Sequence, residues 1–324
     1  MSTFSDAPEY LITGGAGFIG SNTVRILRSQ GKTVRILDNF SVGNASTLPE
    51  PEEGVEVIEG DIRDPEVCKT AVRGVRYILH MAAESSVQLS VTDPLLFHSV
   101  NATGTLNLLL AARDAGVERW VLSSSCSVYG EHPELPKTEK SPVAPASPYA
   151  LTKRIDEEYS LLFHKLYGLP ACVLRYFNVY GPGQRPDSSY AAVIPFFLDR
   201  CRKGLPLPIN GDGDQTRDFV YVDDVVQANL AACHAGKVAI GRVFNIGSGH
   251  CLGIRQLAEM IGTFGDNEIQ LEFSQGLKGE VRDSLADARL ADAVLGWVPK
   301  VTMEDGIRRT WEWMQQSGQA VSKD

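Results

Sequence analysis

The stretch from Tyr10 to Asp38 constrains the fold of this chain more than any other. A short apolar run, YLIT, leads into GGAGFIGS, and a segment with helical spacing follows and stops at Gly31. A second apolar run, TVRILD, ends in Asp38. Strand, glycine-rich turn, helix, strand and acid in this order are typical of a βαβ unit that binds a dinucleotide. The pattern predicts a parallel sheet that begins here.

Each glycine of this turn has a predicted task. Gly14 permits the tight turn, Gly17 lets the backbone approach a pyrophosphate, and Gly20 packs the helix on the strand. The unpaired N–H groups at the start of the helix would face the phosphates. Asp38 is expected to bond the adenosine ribose hydroxyls, which selects NAD over NADP.

Strands and helices continue to alternate beyond this unit. Strands are predicted over 55–62, 75–83, 118–125 and 169–181, and helices over 64–73, 94–115 and 147–167. This alternation favours an α/β fold, a Rossmann-type doubly wound parallel sheet with a smaller α/β substrate lobe. The carboxyl ends of the strands should meet on one edge. The residues expected at that edge are Gly14, Asp38, Asp61, Ala82, Ser125 and Asn178.

The character of the chain changes after Gly181, where helical, strand-like and Gly/Pro-rich pieces interleave. We expect residues 1–180 to form the NAD-binding domain. Residues 181–324 should form mainly the smaller substrate-binding lobe, with segments that cross back to the first domain.

A second informative stretch runs from Ser123 to Lys153. Three serines end a predicted strand, and Tyr149 and Lys153 follow near the start of a helix at a spacing of four residues. This spacing places both side chains on one helix face. An ammonium beside a phenol should lower the pKa of the phenol, which makes a general base of Tyr149. Ser125, at the mouth of the strand, is placed to bond the same substrate oxygen.

Composition excludes several classes of protein. The net charge of −9 and the pI near 5.3 argue against a nucleic-acid or membrane surface role. The six cysteines are scattered without a Cys-x-x-Cys pair, as in a reduced, cytoplasmic protein. No apolar stretch is expected to approach the 18 residues of a membrane span. The six histidines share no metal-ligand spacing, so no metal site is expected.

Longer motifs are spread from residue 12 to about residue 300, among them TGGAGFIGS, GDIRD, SSSCSVYG, SPYALTK, LRYFNVYGPGQ, INGDGDQTRDFVYVDDVV and VRDSLAD. Together they resemble the extended short-chain dehydrogenase/reductases. Within that family they resemble the nucleotide-sugar 4-epimerases, the group of the UDP-glucose and UDP-N-acetylglucosamine 4-epimerases. The resemblance implies NAD as cofactor, a UDP-sugar substrate and a transient 4-keto sugar. It also implies a homodimer joined through helices 94–115 and 147–167 as a four-helix bundle.

The resemblance assigns roles to individual residues. Tyr149 corresponds to the general base, Lys153 to its partner on the nicotinamide ribose, and Ser125 to the hydroxyl that bridges sugar O4 and the tyrosine. Further cofactor-binding residues are expected at Phe18, Ile19, Asn39, Gly43, Asp61, Ile62, Met81, Ala82, Ala83, Asn101, Ser123 and Tyr176. Substrate-binding residues are expected at Ser85, Asn178, Tyr190–Val193 (with Ala192), Pro208, Asn210, Arg217, Arg282 and Ser284.

The chain departs from its relatives at two places. A pyrophosphate arginine is usual where this chain has Leu277 in Leu277-Lys278-Gly279-Glu280, so the clamp is lost, taken by Lys278 or supplied by Arg282. Cys126 stands where a small residue or serine is usual.

Several functions stay open within this resemblance. UDP-GlcNAc/UDP-GalNAc is favoured because Ser284 leaves room for an acetamido group, with UDP-glucose/UDP-galactose beside it. A uronate substrate would use Arg185. A sugar 4,6-dehydratase, a decarboxylase and a non-catalytic NAD-binding protein also stay open.

Overall fold

The computed structural model describes residues 7–43, 48, 54–186, 192–265, 270–275 and 282–320, with side chains through residue 316. Up to Tyr176 the chain alternates between strands and helices. The strands are β1 (Tyr10–Thr13), β2 (Val34–Asp38), β3 (Val55–Glu59), β4 (Tyr77–His80), β5 (Arg119–Ser125) and β6 (Ala171–Tyr176). The helices are α1 (Phe18–Ser29), α2 (Pro65–Val72), α3 (Val87–Thr92), α4 (Pro94–Phe97), α5 (Gly104–Ala115) and α6 (Pro148–Tyr167).

The elements after Tyr176 are shorter and more mixed. The strands are β7 (Asn178–Tyr180), β8 (Leu207–Asn210), β9 (Thr216–Tyr221), β10 (Arg242–Ile246), β11 (Cys251–Gly253) and β12 (Leu271–Ser274). The helices are α7 (Val193–Arg202), α8 (Val222–His234), α9 (Ile254–Gly262), α10 (Arg289–Leu295) and α11 (Met303–Ala320).

Seven parallel strands form the larger sheet, in the order β10-β6-β5-β4-β1-β2-β3. The predicted α/β class with a doubly wound parallel sheet is confirmed. β10 joins this sheet from late in the chain, beside β6, and α8 packs against β5 and β6. The later part of the chain thus completes the first sheet as well as forming its own sheets, β11-β9-β7 and β12-β8.

The strands of the larger sheet are apolar because helices cover both of its faces. Every residue of β1 and β6 is buried. Val24 and Leu27 of α1 pack on one face, and Leu108 and Leu109 of α5 pack on the other. Near-continuous apolar runs are what parallel strands in this position require.

Three predicted strands end earlier than expected. β3 and β4 stop at Glu59 and His80, and the residues after them form loops at the carboxyl edge of the sheet. The predicted strand 169–181 is divided at Phe177, whose N–H bonds the carbonyl of Ile246. Its second half, β7, therefore pairs with β9 in a smaller sheet.

The predicted helix 94–115 is continuous but not uniform. Between α4 and α5 the residues His98–Thr103 form a π-helical turn. No uninterrupted apolar stretch of 18 residues is expected, and polar residues such as Asn101 and Asn107 do interrupt this helix, but an 18-residue window of Pro94–Ala115 still has a mean hydropathy of 1.2. Length and composition suit a membrane span, but 56% of the window is buried inside the protein, as in a core helix.

Candidate active site

A cleft of about 320 Å³ opens at the carboxyl edge of the larger sheet. The ends of β1, β2, β4 and β5 form its floor, and the first turns of α1 and α6 form two of its walls. The predicted cofactor residues that line it are Gly14, Gly17, Phe18, Ile19, Gly20, Asp38, Asn39, Gly43, Asp61, Ile62, Met81, Ala82, Ala83, Ser123, Tyr149, Lys153 and Tyr176. Ser85, expected on the substrate side, lines the same cleft.

The glycine-rich turn leaves no room for side chains at two positions. Gly14 has φ +68°, and a Cβ there would lie 2.8 Å from the backbone of Ala82. A Cβ at Gly20 would overlap the carbonyl oxygen of Gly14. Helix α1 therefore begins directly after the turn, and its N-terminal N–H groups face the cleft. This is the backbone cradle that a pyrophosphate requires.

Asp38 is held firmly at the end of β2. Its Oδ2 accepts the N–H of Ala16 and its Oδ1 accepts the N–H of Phe40, both at 2.8 Å. Each oxygen keeps a further lone pair for a hydroxyl group. The fixed carboxylate fits the ribose of NAD and would repel the 2′-phosphate of NADP.

Asp61 is fixed by a residue that the sequence did not single out. Arg63 donates to Oδ1 and Oδ2 of Asp61 at 2.9 and 2.6 Å, and Asn39 donates to Oδ2 at 3.0 Å. The hydrogen bonds from Arg63 lower the pKa of Asp61 to about 2. The sequence signal that could have identified Arg63 is its position two residues after Asp61, an acidic residue that follows a strand.

Tyr149 and Lys153 lie one helical turn apart on α6, as their spacing predicts. Ser147 caps α6 by accepting the N–H of Ala150 at 3.1 Å, so Tyr149 and Lys153 lie in the first two turns. The Ser125 hydroxyl lies beside that of Tyr149 and acts to lower the pKa of the phenol. The Lys153 ammonium donates to the carbonyl of Ser123 at 3.0 Å.

The expected lowering of the pKa of Tyr149 is not seen in this arrangement. Burial raises the pKa of Tyr149 to about 12, against a lowering by the Ser125 hydrogen bond. Burial is the main reason, and the described contacts of the Lys153 ammonium are with the Ser123 carbonyl at 3.0 Å and with Asp156 at 3.7 Å. Burial also lowers the pKa of Lys153.

Asn101 lies behind the cleft rather than in its lining. It sits in the π-helical turn, fully buried, and its Oδ1 accepts the N–H of Glu84 at 2.8 Å. Its Nδ2 donates to the carbonyl of Glu84 and to the Thr152 hydroxyl. Asn101 thus joins the loop after β4 to α6, and its direct contact with a cofactor stays a prediction.

On the substrate side, the structure brings Ser284 against Cys126. The hydroxyl of Ser284 lies beside the thiol of Cys126 and acts to lower the pKa of that thiol, against the larger effect of burial. Asp218 of β9 organises this contact, because its carboxylate accepts the N–H groups of Ser248, Gly249 and Ala286 at 2.7 to 3.0 Å. The segment that contains Ser284 is thereby fastened beside the end of β5.

The two predicted arginines of this side have protein partners. Arg217 donates to the carbonyls of Thr216 and Arg282, both at 2.9 Å. Arg282 pairs with Asp212 at 3.0 Å while its side chain is 63% exposed. Arg282 is therefore the described candidate for the pyrophosphate clamp, since Leu277–Glu280 lie outside the described residues.

The remaining predicted substrate residues lie on the smaller sheets and α7. Asn178 begins β7, Ala192 caps α7 and Val193 begins that helix. Pro208 and Asn210 lie on β8, and Asn210 Oδ1 accepts the Ser274 hydroxyl at 3.0 Å. Tyr190 and Ala191 lie outside the described residues.

Residues 10–247 match the NAD dependent epimerase/dehydratase family. The chain belongs to this family. NAD is therefore its cofactor, and the glycine cradle and Asp38 are the groups of this chain that fit it.

Relatives within the epimerase/dehydratase family share both sequence and fold. A UDP-glucose 4-epimerase of Mycolicibacterium smegmatis is 39% identical over 95% of this chain and 99% of its own length. A UDP-glucose 4-epimerase of Thermotoga maritima, solved with UDP-glucose, is 37% identical with a TM-score of 0.90, over 95% of this chain and 99% of that one. A UDP-N-acetylglucosamine 4-epimerase of Methanobrevibacter ruminantium, solved with UDP-N-acetylmuramic acid, is 34% identical with a TM-score of 0.91, over 96% and 99%.

Proposed function

We propose that this chain catalyses the NAD-dependent 4-epimerisation of a UDP-hexose. The observation that carries the proposal is that Tyr149 and Lys153, one helical turn apart, both line the cleft, with the Ser125 hydroxyl beside Tyr149. The names of the relatives support the same reaction class. An idle NAD-binding protein would have no need of this set of side chains.

In this proposal Tyr149, Ser125 and Lys153 handle the proton of the sugar 4-hydroxyl. When bound, NAD supplies the acceptor and donor of the C4 hydride, so that the sugar passes through a 4-keto form. Tyr149 takes the proton of the 4-hydroxyl and, once the hydride has returned to the opposite face of C4, gives a proton back to the same oxygen. Ser125 bonds the same oxygen and aligns it with the phenol. The Lys153 ammonium opposes the charge that develops on Tyr149.

A dehydratase or decarboxylase is the second function that the same fold could carry. Those reactions need an additional acid and base next to the hydroxyl residue that ends β5, which is Ser125 in this chain. The two positions after Ser125 hold Cys126 and Ser127, and burial raises the pKa of the Cys126 thiol to about 11. Neither side chain is suited to remove the C5 proton, which favours epimerisation.

The preferred sugar in this proposal is UDP-GlcNAc, interconverted with UDP-GalNAc. Ser284 is a small side chain beside Cys126 and close to the Ser125–Tyr149 pair, where a bulky group would narrow the sugar pocket. UDP-glucose and UDP-galactose fit the same space. A uronate would need a cation in addition, and Arg185 is the candidate.

The substrate is tested with a panel of UDP-GlcNAc, UDP-glucose and UDP-glucuronate. The wild type should epimerise UDP-GlcNAc at a rate equal to or above that of UDP-glucose. Ser284→Tyr should abolish turnover of the acetamido sugar and spare UDP-glucose, because the ring fills the space of the acetamido group. The measurement is kcat/KM for each sugar.

Ser284→Ala is the matched control, since it removes the hydroxyl and keeps the space. It should turn over both sugars. If Ser284→Tyr reduces both activities equally, or neither, the pocket-size argument is wrong. If the wild type epimerises no UDP-sugar of the panel, the proposed function itself is refuted.

We also propose that two copies associate through α5 and α6. A groove of about 560 Å³ lies on their outer faces, lined by Leu106, Ile155, Tyr159 and Leu162 among others. Leu162 is 44% exposed and Leu166 is 58% exposed. Apolar side chains in a continuous row on two helices are typical of a helix–helix interface.

A further inference from the structure

The proposed reaction uses Tyr149, Ser125 and Lys153 and gives no task to the carboxyl group of Asp156. That group is fully buried, with an exposed fraction of 0%, one helical turn after Lys153. Its Oδ2 lies 3.7 Å from the Lys153 ammonium. Neither of its oxygens has a hydrogen-bond partner among the described residues. A buried carboxyl group without donors is costly, so its retention needs a physical reason.

The neighbouring carboxyl group on α6 is engaged elsewhere. Glu157 accepts both arms of Arg175 at 2.8 and 2.7 Å and the Ser124 hydroxyl at 2.6 Å. Its charge is therefore paired with Arg175, although it still acts on Lys153 and Asp156 to raise the pKa of both. Asp156 is the carboxyl group that pairs with Lys153 among the described residues. Burial raises the pKa of Asp156 to about 7, so it carries its full charge only above that pH.

The other groups that face this pair are neutral. His80 of β4 bonds the Thr13 hydroxyl at 2.7 Å and the Thr105 hydroxyl at 2.8 Å, and Thr105 of α5 also neighbours Asp156. Burial, helped by the charge of Lys153, lowers the pKa of His80 to about 3, so the imidazole carries no charge near neutrality. On the side of Lys153 that faces the sheet, its ammonium meets the Ser123 carbonyl.

The position of Lys153 follows from these contacts. An ammonium held between a carbonyl at 3.0 Å and a carboxylate at 3.7 Å is drawn toward β5 and α5. Burial is the main cause of the raised pKa of Tyr149, and the negative charges of Cys126 and then of Asp156 add to it. Both effects reduce the electrostatic stabilisation of the Tyr149 phenolate by the Lys153 ammonium.

We propose that Asp156 is a positioning residue for Lys153. Its carboxylate holds the ammonium back from Tyr149, and by opposing the ammonium charge it raises the pH at which Tyr149 becomes a base. Asp156 in this way sets the working pH of the site without touching the substrate. The consequence for turnover rests on the proposed epimerase function, whereas the consequence for the titration of Tyr149 does not.

The titration is measured directly on the NAD-saturated protein. The ultraviolet phenolate band is recorded against pH for the wild type and Tyr149→Phe, and their difference isolates Tyr149. The same difference is taken between Asp156→Asn and the Asp156→Asn/Tyr149→Phe double variant. Removing the carboxylate should lower the titration midpoint by about 1 pH unit, the shift expected for one nearby charge. The acid limb of kcat/KM should move in the same direction by a similar amount.

Asp114→Asn is the matched control, because it makes the same chemical change at a carboxyl group on α5 that is 63% exposed. It should leave the midpoint of Tyr149 unchanged. Asp156→Ser also removes the charge but leaves a smaller side chain. It should reproduce the shift of the Tyr149 titration midpoint seen with Asp156→Asn.

A midpoint that stays fixed or rises in folded Asp156→Asn overturns the proposal, as does loss of folding in both variants, judged by circular dichroism. A lowered midpoint in a protein without epimerase activity would uphold the role of Asp156 and refute the proposed function. A lower turnover with an unchanged pH profile would mark Asp156 as merely structural.

Discussion

Tyr149 meets two opposing demands at the scale of a single residue. It must be buried to exclude water from the reacting sugar, and burial raises the pKa of its hydroxyl to about 12. It must also give up a proton near neutrality. The Ser125 hydrogen bond acts in the lowering direction, and a cationic nicotinamide in the cleft would act in the same direction. Charge near the phenol therefore decides whether the residue works.

Tyr149→Phe should separate this chemistry from binding. The ring is kept, so folding and NAD binding should survive, while turnover should fall by ~10²–10⁴, the usual scale of general acid–base catalysis. Turnover is measured with the preferred UDP-sugar, and NAD binding by calorimetry. A Phe variant that retains full activity would show that the base is another group.

At the scale of the secondary-structure elements, α6 is fastened to the sheet by buried polar contacts. Arg175 of β6 and Ser124 of β5 both bond Glu157. One turn further on, the Trp120 indole donates to the Ser160 hydroxyl at 3.1 Å. These contacts fix the helix that carries Tyr149 and Lys153 over the ends of β5 and β6.

Glu157→Gln should therefore be strongly destabilising. It leaves the guanidinium of Arg175, only 2% exposed, without a counter-charge, and breaking a buried pair in this way costs about 3–5 kcal/mol. The free energy of unfolding in urea measures the effect. Glu66→Gln breaks an exposed pair with Lys69 and should leave the denaturation midpoint unchanged. Equal effects from both variants would contradict the argument.

At the scale of the whole molecule, long-range contacts join the larger sheet to the substrate side. Asn245 of β10 accepts the Tyr129 hydroxyl at 2.6 Å and donates to the carbonyls of Lys137 and Asp287. These bonds connect the loop after β5, the returning strand and the segment that carries Ser284. The sugar side of the site is thus assembled from parts far apart in sequence.

The proposed dimer is a prediction at this same scale. Sedimentation at micromolar concentration should give twice the monomer mass of 35.3 kDa. Leu162→Glu places a charge in the groove between α5 and α6 and should shift the protein toward monomer. Leu205→Glu makes the same change at a residue that is 42% exposed and does not line the groove, and it should stay dimeric. A wild type that sediments as a monomer contradicts the proposal.

The sequence by itself determined the parts of this protein that depend on local chemistry. The turn from Gly14 to Gly20 and the acid at Asp38 predict a βαβ unit, because only glycine tolerates the backbone approaches found there. Ser147 and the spacing of Tyr149 and Lys153 predict two side chains on one helix face. The parallel sheet follows from the alternation of apolar strands with helices.

Only the tertiary structure decided the properties that depend on burial and on distant partners. The pKa of Tyr149 rises rather than falls, because burial of the phenol outweighs the contacts that lower it. Asn101 supports the cleft from behind, and β10 returns to the larger sheet from late in the chain. Cys126 meets Ser284 across more than 150 residues of sequence. No local pattern encodes such contacts, since they depend on which surfaces the folded chain brings together.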